Sequence, residues 1–182
     1  MRKVTAGLFY SIDGAAQAPD QWQFDSFDDE LGAFMTTTLA NVDTIILGRV
    51  GYEEWSQYWP NAQADADFKA FINGTPKHVA STTLAGPLGW ENASLISGRA
   101  EDLVRDLKAA DGGDIAVMGG LTIVRTLFLA GLIDELALIT HPVIAGSSYR
   151  RLFEGTDTVR LALVRAEITS KGNVVSTYRR AE

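Results

Sequence analysis

Two glycine turns carry the clearest chemical signal in this chain. The apolar run Ile45–Leu47 stops at Gly48-Arg49, where a helical pattern begins. The run Ile115–Met118 stops in the same way at Gly119-Gly120. At such a turn the backbone N–H groups are open to a ligand, and the following helix starts with unpaired donors and a partial positive charge. Two turns of this kind predict a site for a dinucleotide with several phosphates.

Neither turn matches a known phosphate fingerprint by itself. Gly119-Gly120 is too short for G-x-G-x-x-G, and Gly48-Arg49 lacks the Lys-Ser/Thr pair of a Walker loop. A glycine at a strand–helix corner is often only a tight turn. A structural or interaction module with incidental glycine turns therefore stays open as an alternative.

Composition limits the class of protein. The 182 residues are enough for one domain or a tight pair of domains, and we expect a single domain over 1–182. The net charge of −7 argues against nucleic acid and against an anionic membrane surface. With no cysteine and only two histidines, a metal site is not expected. The N-terminus does not read as a signal peptide and no apolar run is long enough to span a membrane, so we expect a cytoplasmic protein.

Strand and helix patterns alternate along the chain. Strands are predicted at 3–10, 44–47, 77–80, 93–96, 115–118, 134–143, 159–168 and 173–179. Helices are predicted at 28–39, 50–57, 65–72, 100–109 and 122–130. This order predicts an α/β fold: a mixed sheet of about eight strands, mostly parallel, with helices on both faces. The last two strands are predicted to form an antiparallel C-terminal hairpin through Ser170-Lys171-Gly172.

Several motifs together resemble the dihydrofolate reductase superfamily. They are Gly48-Arg49-x-x-Tyr52-Glu53, Val117-x-Gly119-Gly120 and Asp134-Glu135-Leu136-x-Leu138-x-Thr140-x-Pro142. The Ser11-Ile12-Asp13-Gly14 turn and Gly146-x-x-x-x-x-Leu152-Phe153 are similar to one branch, the reductase domain of riboflavin biosynthesis and its stand-alone relatives. The resemblance spans nearly the whole chain. It implies a dihydrofolate-reductase-like fold and NADPH-dependent hydride transfer to a pyrimidine or pterin-like small molecule, such as 5-amino-6-(5-phosphoribosylamino)uracil.

The resemblance also assigns NADPH-binding residues. It implies a phosphate contact at Gly48 and Arg49, and a pyrophosphate turn with a cis Gly119–Gly120 peptide. It implies contacts to the adenosine side of NADPH at Ser81-Thr82-Thr83, the hydroxyl turn that follows the third strand. The full predicted set is Gly48, Arg49, Ser81, Thr82, Thr83, Gly119, Gly120, Leu121 and Thr122. Relatives often carry a hydroxyl residue where Gly51 stands, so that donor is missing here, and no Arg or Lys adjoins the hydroxyl turn to secure NADP over NAD.

On the substrate side, the resemblance implies an acid on the first helix. Counting back from Gly48-Arg49 favours Glu30, which we expect to face a partly apolar pocket and supply a proton, with Asp13 as the second catalytic candidate. Acids in a first helical turn also interact favourably with the helix dipole, and Asp13 could simply cap its turn. Asp29, Phe34 and Thr140 are the predicted substrate-binding residues, although Phe34 also suits core packing. His141 is not expected to be catalytic.

The exact substrate and the activity stay open. The basic residues that could hold a substrate phosphate (Lys77, Arg150 and Arg151) are scattered along the chain. A nucleotide-binding protein on the same fold without reductase activity is the main alternative. Because related reductase domains often form homodimers, we also expect a homodimer, through an apolar face near the last strands that comprises Leu136, Leu138, Leu161 and Leu163.

Overall fold

The computed structural model describes residues 1–181 and contains eight strands and five α-helices among them. The strands are β1 (Val4–Ser11), β2 (Val42–Gly48), β3 (Lys77–Ala80), β4 (Ala93–Leu95), β5 (Asp114–Met118), β6 (Glu135–His141), β7 (Leu161–Ile168) and β8 (Val174–Arg180). The helices are α1 (Asp29–Leu39), α2 (Arg49–Tyr58), α3 (Ala66–Gly74), α4 (Ala100–Ala109) and α5 (Leu121–Leu129).

The strands form one sheet in the order β4-β3-β2-β5-β1-β6-β8-β7. Four pairs of neighbouring strands are parallel: β2 with β3, β2 with β5, β3 with β4, and β1 with β6. Strand β8 is antiparallel to both of its neighbours, β6 and β7. The predicted mostly parallel sheet of eight strands with an antiparallel C-terminal hairpin is therefore confirmed.

The chain divides into two compact units. The first comprises Met1–Val4 and Asn41–Leu132, and the second comprises Thr5–Ala40 and Ile133 onward. The single domain predicted over 1–182 stays a prediction, and Glu182 lies outside the described residues.

The first unit is built on the parallel strands β4-β3-β2-β5. Ile45, Ile46 and Leu47 of β2 are fully buried, as the unbroken apolar run predicts for a strand covered on both faces. Ile45 and Leu47 share a core cluster with Tyr52, Ile72 and Val79. α3 extends to Gly74, two residues beyond its predicted end, and begins after Asp65, whose carboxylate accepts a hydrogen bond from the Phe68 N–H. This capped, packed framework positions the turns at the ends of β2, β3 and β5.

The second unit combines β1, β6, β8 and β7 with α1. Leu31 of α1 packs with Ile139 of β6 and Val175 of β8. α1 begins at Asp29 rather than at the predicted Asp28, because the Asp28 carboxylate caps the helix by accepting the Leu31 N–H. Leu136 of β6 is fully buried, so the prediction that it belongs to an exposed dimer face is wrong: this side chain fills the core of the protomer.

Candidate functional site

Strand register brings three of the predicted cofactor turns to one edge of the first unit. Gly48 at the end of β2 lies opposite Ala80 at the end of β3. Leu47 lies opposite Met118 at the end of β5. Because the three strands are parallel and adjacent, the segments that follow them lie side by side. The turns in question are Gly48-Arg49, Ser81-Thr82-Thr83 and Gly119-Gly120.

The two glycine turns pack directly against each other. A Cβ on Gly48 would lie 3.5 Å from the Gly120 Cα and 3.6 Å from the Gly119 carbonyl oxygen. One turn away on α2, a Cβ on Gly51 would lie only 1.7 Å from the Gly119 carbonyl oxygen. No side chain fits there. The hydroxyl side chain that the resemblance implies at this position is therefore excluded by close packing of α2 on the β5–α5 turn.

Both helices at these turns start without a side-chain cap. Gly48 is the N-cap of α2 and Gly120 is the N-cap of α5, and neither position carries a capping side chain. Their first N–H groups and helix dipoles therefore form two adjacent sites that favour an anion. Leu121 and Thr122 are the first two residues of α5, so their amides belong to the second of these sites.

The backbone at the second turn differs from the expectation in one respect. Gly119 adopts a left-handed conformation with φ +59°, and Gly120 is extended with φ 172°. Within residues 1–181 the cis peptide bond is Gly86–Pro87, so the Gly119–Gly120 peptide is trans and the expected cis form is wrong. The left-handed Gly119 followed by the extended Gly120 redirects the chain from β5 into α5 with a trans bond.

At the Gly48-Arg49 turn and at the hydroxyl turn, some of the polar side chains already form contacts within the protein. The Arg49 guanidinium is half-exposed and forms an ion pair with Glu53 at 2.5 Å, one turn along α2. The Ser81 hydroxyl accepts hydrogen bonds from the backbone N–H of Thr83 at 3.1 Å and of Leu84 at 2.9 Å. Ser81 thus shapes the hydroxyl turn, whereas Thr82 and Thr83 are exposed on it.

In the second unit, Asp13 holds two loops together. Its carboxylate accepts hydrogen bonds from the Ser11 hydroxyl at 2.7 Å, the Ala145 N–H at 2.9 Å and the Gly146 N–H at 3.0 Å. The Ser11 hydroxyl first, and then the two amides, hold the pKa of this carboxyl below its usual value. Asp13 is therefore ionised at neutral pH and has no proton to donate.

Asp28 is the buried acid at the start of α1. One carboxylate oxygen caps the helix, and the other accepts from the Thr169 hydroxyl at 2.5 Å, the Lys171 N–H at 3.1 Å and the Asn173 amide at 3.2 Å. Burial alone would raise the pKa of Asp28, but these hydrogen bonds outweigh it and the pKa is lowered. Asp28 thus ties α1 to the β7–β8 connection.

Glu30 and Asp29, in contrast, are exposed. Glu30 accepts one hydrogen bond, from the Ser170 hydroxyl at 2.9 Å. The expectation that Glu30 faces a partly apolar pocket is wrong, because Asp28 occupies the inward position of this helix start and the next two side chains turn outward.

Phe34 and Thr140 lie on different faces of the second unit's sheet. Phe34 packs against the cluster of Leu31, Ile139 and Val175, on the side of the sheet that α1 covers. Ile139 and Thr140 are neighbours on β6, and successive side chains of a strand point to opposite faces. The structure therefore does not bring Thr140 together with Phe34, contrary to the predicted common substrate site.

His141 shares the face with Phe34 and is fully buried. Its Nδ1 lies 2.6 Å from the Ser26 hydroxyl, and its ring lies 5.4 Å from the Phe9 ring and 6.0 Å from the Trp22 ring. Burial lowers its pKa, which Asn173 and Asp28 offset only in part. His141 is therefore a neutral core group.

Ser26, its hydrogen-bond partner, is not among the residues predicted from the sequence. It lies 115 positions from His141, and no motif or spacing links the two residues.

Beside this group, aromatic rings reach the surface. Phe27 is partly exposed and meets Phe9 edge-on, with 6.2 Å between ring centroids. Phe9 and Phe34 border the same core cluster. The second unit thus offers an apolar, aromatic surface beside the start of α1, which suits a planar ring.

The described part of the chain contains neither a cluster of metal ligands nor a helix suited to a membrane. Within residues 1–181 no group of three or more His, Asp or Glu side chains could hold a metal ion. No helix described there has the length and apolar character needed to cross a membrane.

Comparison with known proteins agrees with this architecture. A family model described as the RibD C-terminal domain matches residues 2–175. The uncharacterized Bacillus subtilis protein YyaP is 27% identical over 181 residues, which covers 97% of this chain and 94% of that protein. A Shewanella sp. PV-4 protein assigned to riboflavin biosynthesis superposes with a TM-score of 0.73 at 21% identity, over 99% of both chains. A dihydrofolate reductase from Enterococcus faecalis, complexed with NADP(H), superposes with a TM-score of 0.62 at 14% identity, over 99% of this chain and 97% of that one. The predicted dihydrofolate-reductase-like fold is confirmed.

Proposed function

The chain belongs to the RibD C-terminal domain family, and on that premise we propose that it is an NADPH-dependent reductase acting on a pyrimidine or pterin-like small molecule. The observation that carries the proposal is the tight packing of the Gly48-Arg49 turn on the Gly119-Gly120 turn. It juxtaposes two helix starts with no capping side chain, which suits the two phosphates of a dinucleotide.

The residues of the first unit fit such a cofactor. Glycine at both N-caps leaves the backbone amides accessible, and the amides of Leu121 and Thr122 follow on α5. Arg49 is half-exposed and can exchange Glu53 for an anionic phosphate oxygen. Thr82 and Thr83 present hydroxyls for the adenosine side. When bound, NADPH supplies the hydride, and the protein supplies position and exclusion of water.

The second unit supplies groups for the substrate. Phe9, Phe27 and Phe34 offer an apolar surface for the heterocycle. Neither acid predicted from the sequence fits the proton-donating role, because Glu30 is exposed and three hydrogen bonds hold the Asp13 carboxylate in its ionised form. Asp13 instead positions the Ala145–Gly146 loop. Asp29, next to Glu30 and exposed, is the further polar group proposed for substrate recognition.

The proposal is tested by titrating NADPH into the purified protein while following its fluorescence, with NADH as the matched ligand. We expect saturable binding of NADPH, and the titration with NADH measures how far the protein distinguishes the two dinucleotides. Oxidation of NADPH is then followed at 340 nm with a panel of aminopyrimidines and pterins. Failure to bind either dinucleotide would overturn the proposal.

A nucleotide-binding protein without reductase activity is the second candidate. The exposure of Glu30 and the saturated hydrogen bonding of Asp13 favour it, since neither acid is buried next to an apolar surface. Tight NADPH binding with no oxidation on any member of the panel would support this candidate. Oxidation of NADPH that depends on a member of the panel would support the reductase.

A further inference from the structure

A cavity of about 380 Å³ lies in the first unit, away from the turns proposed for the dinucleotide. Its volume is within the range of ligand pockets. It is lined by Ser56, Pro60, Asn73, Gly89, Trp90 and Glu91. Asn73 and Glu91 come shortly before β3 and β4 begin, whereas the cofactor turns follow the ends of β2, β3 and β5. Because these strands are parallel, the cavity and the cofactor turns lie at opposite edges of this part of the sheet.

Two helices end at the cavity. Ser56 lies in the last turn of α2, and Asn73 lies in the last turn of α3. The carboxyl end of a helix carries a partial negative charge, which a nearby cation complements. Neither of these two helices has a basic side chain in its own last turn. The two helix ends therefore give this side of the cavity a negative potential.

Glu91 adds a full negative charge to the wall of the cavity. Its side chain is exposed, and within residues 1–181 it takes part in no ion pair. The hydroxyl of Ser56 makes only a long contact, at 3.4 Å, with the carbonyl oxygen of Glu53. The described lining residues include no lysine, arginine or histidine. The carboxylate and the hydroxyl are thus available to a positively charged ligand.

The fold already holds two ammonium groups near these helix ends. The Lys77 Nζ donates to the carbonyl oxygen of Ile72 at 2.8 Å and lies 4.7 Å above the Trp90 ring. The Lys69 Nζ donates to the carbonyl oxygen of Ala62, shortly after α2, at 2.8 Å. Carbonyl oxygens and an aromatic ring are the groups that stabilise a desolvated cation. The ammonium of Lys77 is taken up by these contacts and does not line the cavity, so the Glu91 carboxylate stays accessible.

Hydrogen bonds hold the walls of the cavity in place. The Trp90 Nε1 donates to the Asn73 Oδ1 at 2.8 Å, and the Asn73 Nδ2 donates to the Trp59 carbonyl oxygen at 3.1 Å. The Gly89 N–H donates to the Tyr52 hydroxyl at 3.1 Å. A preformed site loses little conformational entropy when a ligand binds.

We propose that this cavity binds a small organic cation, an amine or guanidine with a flat or apolar body. Its charged head lies at Glu91 and Ser56, and its body lies against Trp90 and Pro60. A divalent metal ion fits less well, because a single carboxylate supplies too few oxygen ligands. The site does not depend on the reductase activity proposed above.

Calorimetric titration with tyramine, a primary amine on an aromatic body, tests the ligand class. In about 0.15 M NaCl, which screens non-specific attraction to an acidic protein, we expect saturable binding with a Kd of about 0.1–1 mM. The matched ligand is 3-(4-hydroxyphenyl)propanoate, which carries a carboxylate in place of the amine and should not bind in this range. Absence of saturable tyramine binding, or equal binding of the acid, would overturn the proposal.

Two substitutions of exposed acids test the position of the charged head. Glu91→Gln should raise the Kd for tyramine about three- to tenfold, as expected for an ion pair that the ligand partly shields from water. Glu54→Gln is the matched control, because it removes an exposed acid of α2 that does not line the cavity, and it should leave the Kd unchanged. A Glu91→Gln variant that is folded by circular dichroism and binds tyramine as tightly as the unmodified chain contradicts the assignment.

Amide chemical shifts in a tyramine titration test the location independently of affinity. The largest changes should fall on Ser56 and on Gly89, Trp90 and Glu91, which surround the cavity. Changes centred instead on the Gly48 or Gly119 turn would place the amine at the proposed cofactor site and refute a separate cation site.

Discussion

Gly51 on α2 and Gly119 at the end of β5 are in such close contact that the backbone of one occupies the side-chain space of the other. A Cβ on Gly51 would lie 1.7 Å from the carbonyl oxygen of Gly119 and 2.5 Å from its Cα. The contact holds the start of α2 against the start of α5. Both proposed phosphate sites therefore depend on a residue that contributes no side chain of its own.

Gly51→Ser should disrupt this contact instead of adding a useful hydroxyl. Because backbone atoms block the new Cβ, α2 or the Gly119 turn must shift, and we expect the free energy of unfolding to fall by about 3 kcal/mol. Urea denaturation followed by circular dichroism measures this change. NADPH affinity should fall as well, since the two helix starts separate.

Gly74→Ala is the matched control for that substitution. Gly74 is the last residue of α3, and a Cβ there meets no atom within 4 Å. Alanine is the better helix former, so the change should be neutral or should stabilise by about 0.5–1 kcal/mol. If Gly51→Ser proved as harmless as Gly74→Ala, the steric account of the turn would be wrong.

Arg49→Ala should weaken NADPH binding by about 1–3 kcal/mol, roughly 5- to 150-fold in Kd, the range for a lost hydrogen bond to a charged group. Glu53→Gln separates the cofactor contact from the internal ion pair, because it removes the carboxylate that competes for Arg49. It should leave the affinity unchanged or raise it. Fluorescence titration of both variants measures the difference, and equal losses in the two would refute a phosphate contact by Arg49.

Asp28→Asn should remove a pH-dependent part of the stability. The pKa of Asp28 is lower in the folded than in the unfolded protein. The ionised carboxylate therefore stabilises the fold above the unfolded-state pKa of about 3.9, and this stabilisation is lost as pH falls through the folded-state pKa. We expect the variant to cost about 1–3 kcal/mol at pH 6, since buried donors lose a charged acceptor, and less at pH 3. Asp29→Asn, at the neighbouring but exposed position, should change the free energy of unfolding by no more than about 0.5 kcal/mol at both pH values. A cost independent of pH would argue against the charged network.

Lys77 is a buried cation that closes the C-terminal end of α3. Its Nζ donates to the carbonyl oxygens of Ile72 at 2.8 Å, Asn73 at 3.1 Å and Thr75 at 2.7 Å, and it lies 4.7 Å above the Trp90 ring. Burial lowers its pKa to about 8, which the nearby Glu91 only partly offsets.

This lowered pKa predicts a rise in stability at alkaline pH. Between pH 8 and about 10.4 the unfolded chain binds a proton that the folded Lys77 has released, so the free energy of unfolding should increase with pH, by at most about 3 kcal/mol. Lys77→Met keeps the apolar stem and should flatten this rise, whereas Lys69→Met should retain it. Urea denaturation from pH 7 to 10.5 measures the three profiles, and a parallel profile for Lys77→Met would contradict the shift.

Local sequence patterns were enough to predict the order of the strands and helices and the positions of the glycine turns. β3 and α4 begin and end where predicted, because apolar periodicity and turn residues are local properties of the chain. The turns at Gly48 and Gly119 follow from the same local patterns. The resemblance in motifs was sufficient to identify the fold.

Tertiary structure decided which side chains meet. Ser26 and His141 form a hydrogen bond although they are 115 positions apart in the sequence. Ile139 packs beside Phe34, but the side chain of the next residue, Thr140, points to the opposite face of the sheet. In the acidic run at the start of α1, Asp28 is buried, whereas Asp29 and Glu30 are exposed. From the sequence, Gly51 is a missing hydrogen-bond donor, whereas in the structure it is the position where α2 packs on the Gly119 carbonyl. Strand register and helix docking set these outcomes, and a shift of one residue in either reverses the direction of a side chain.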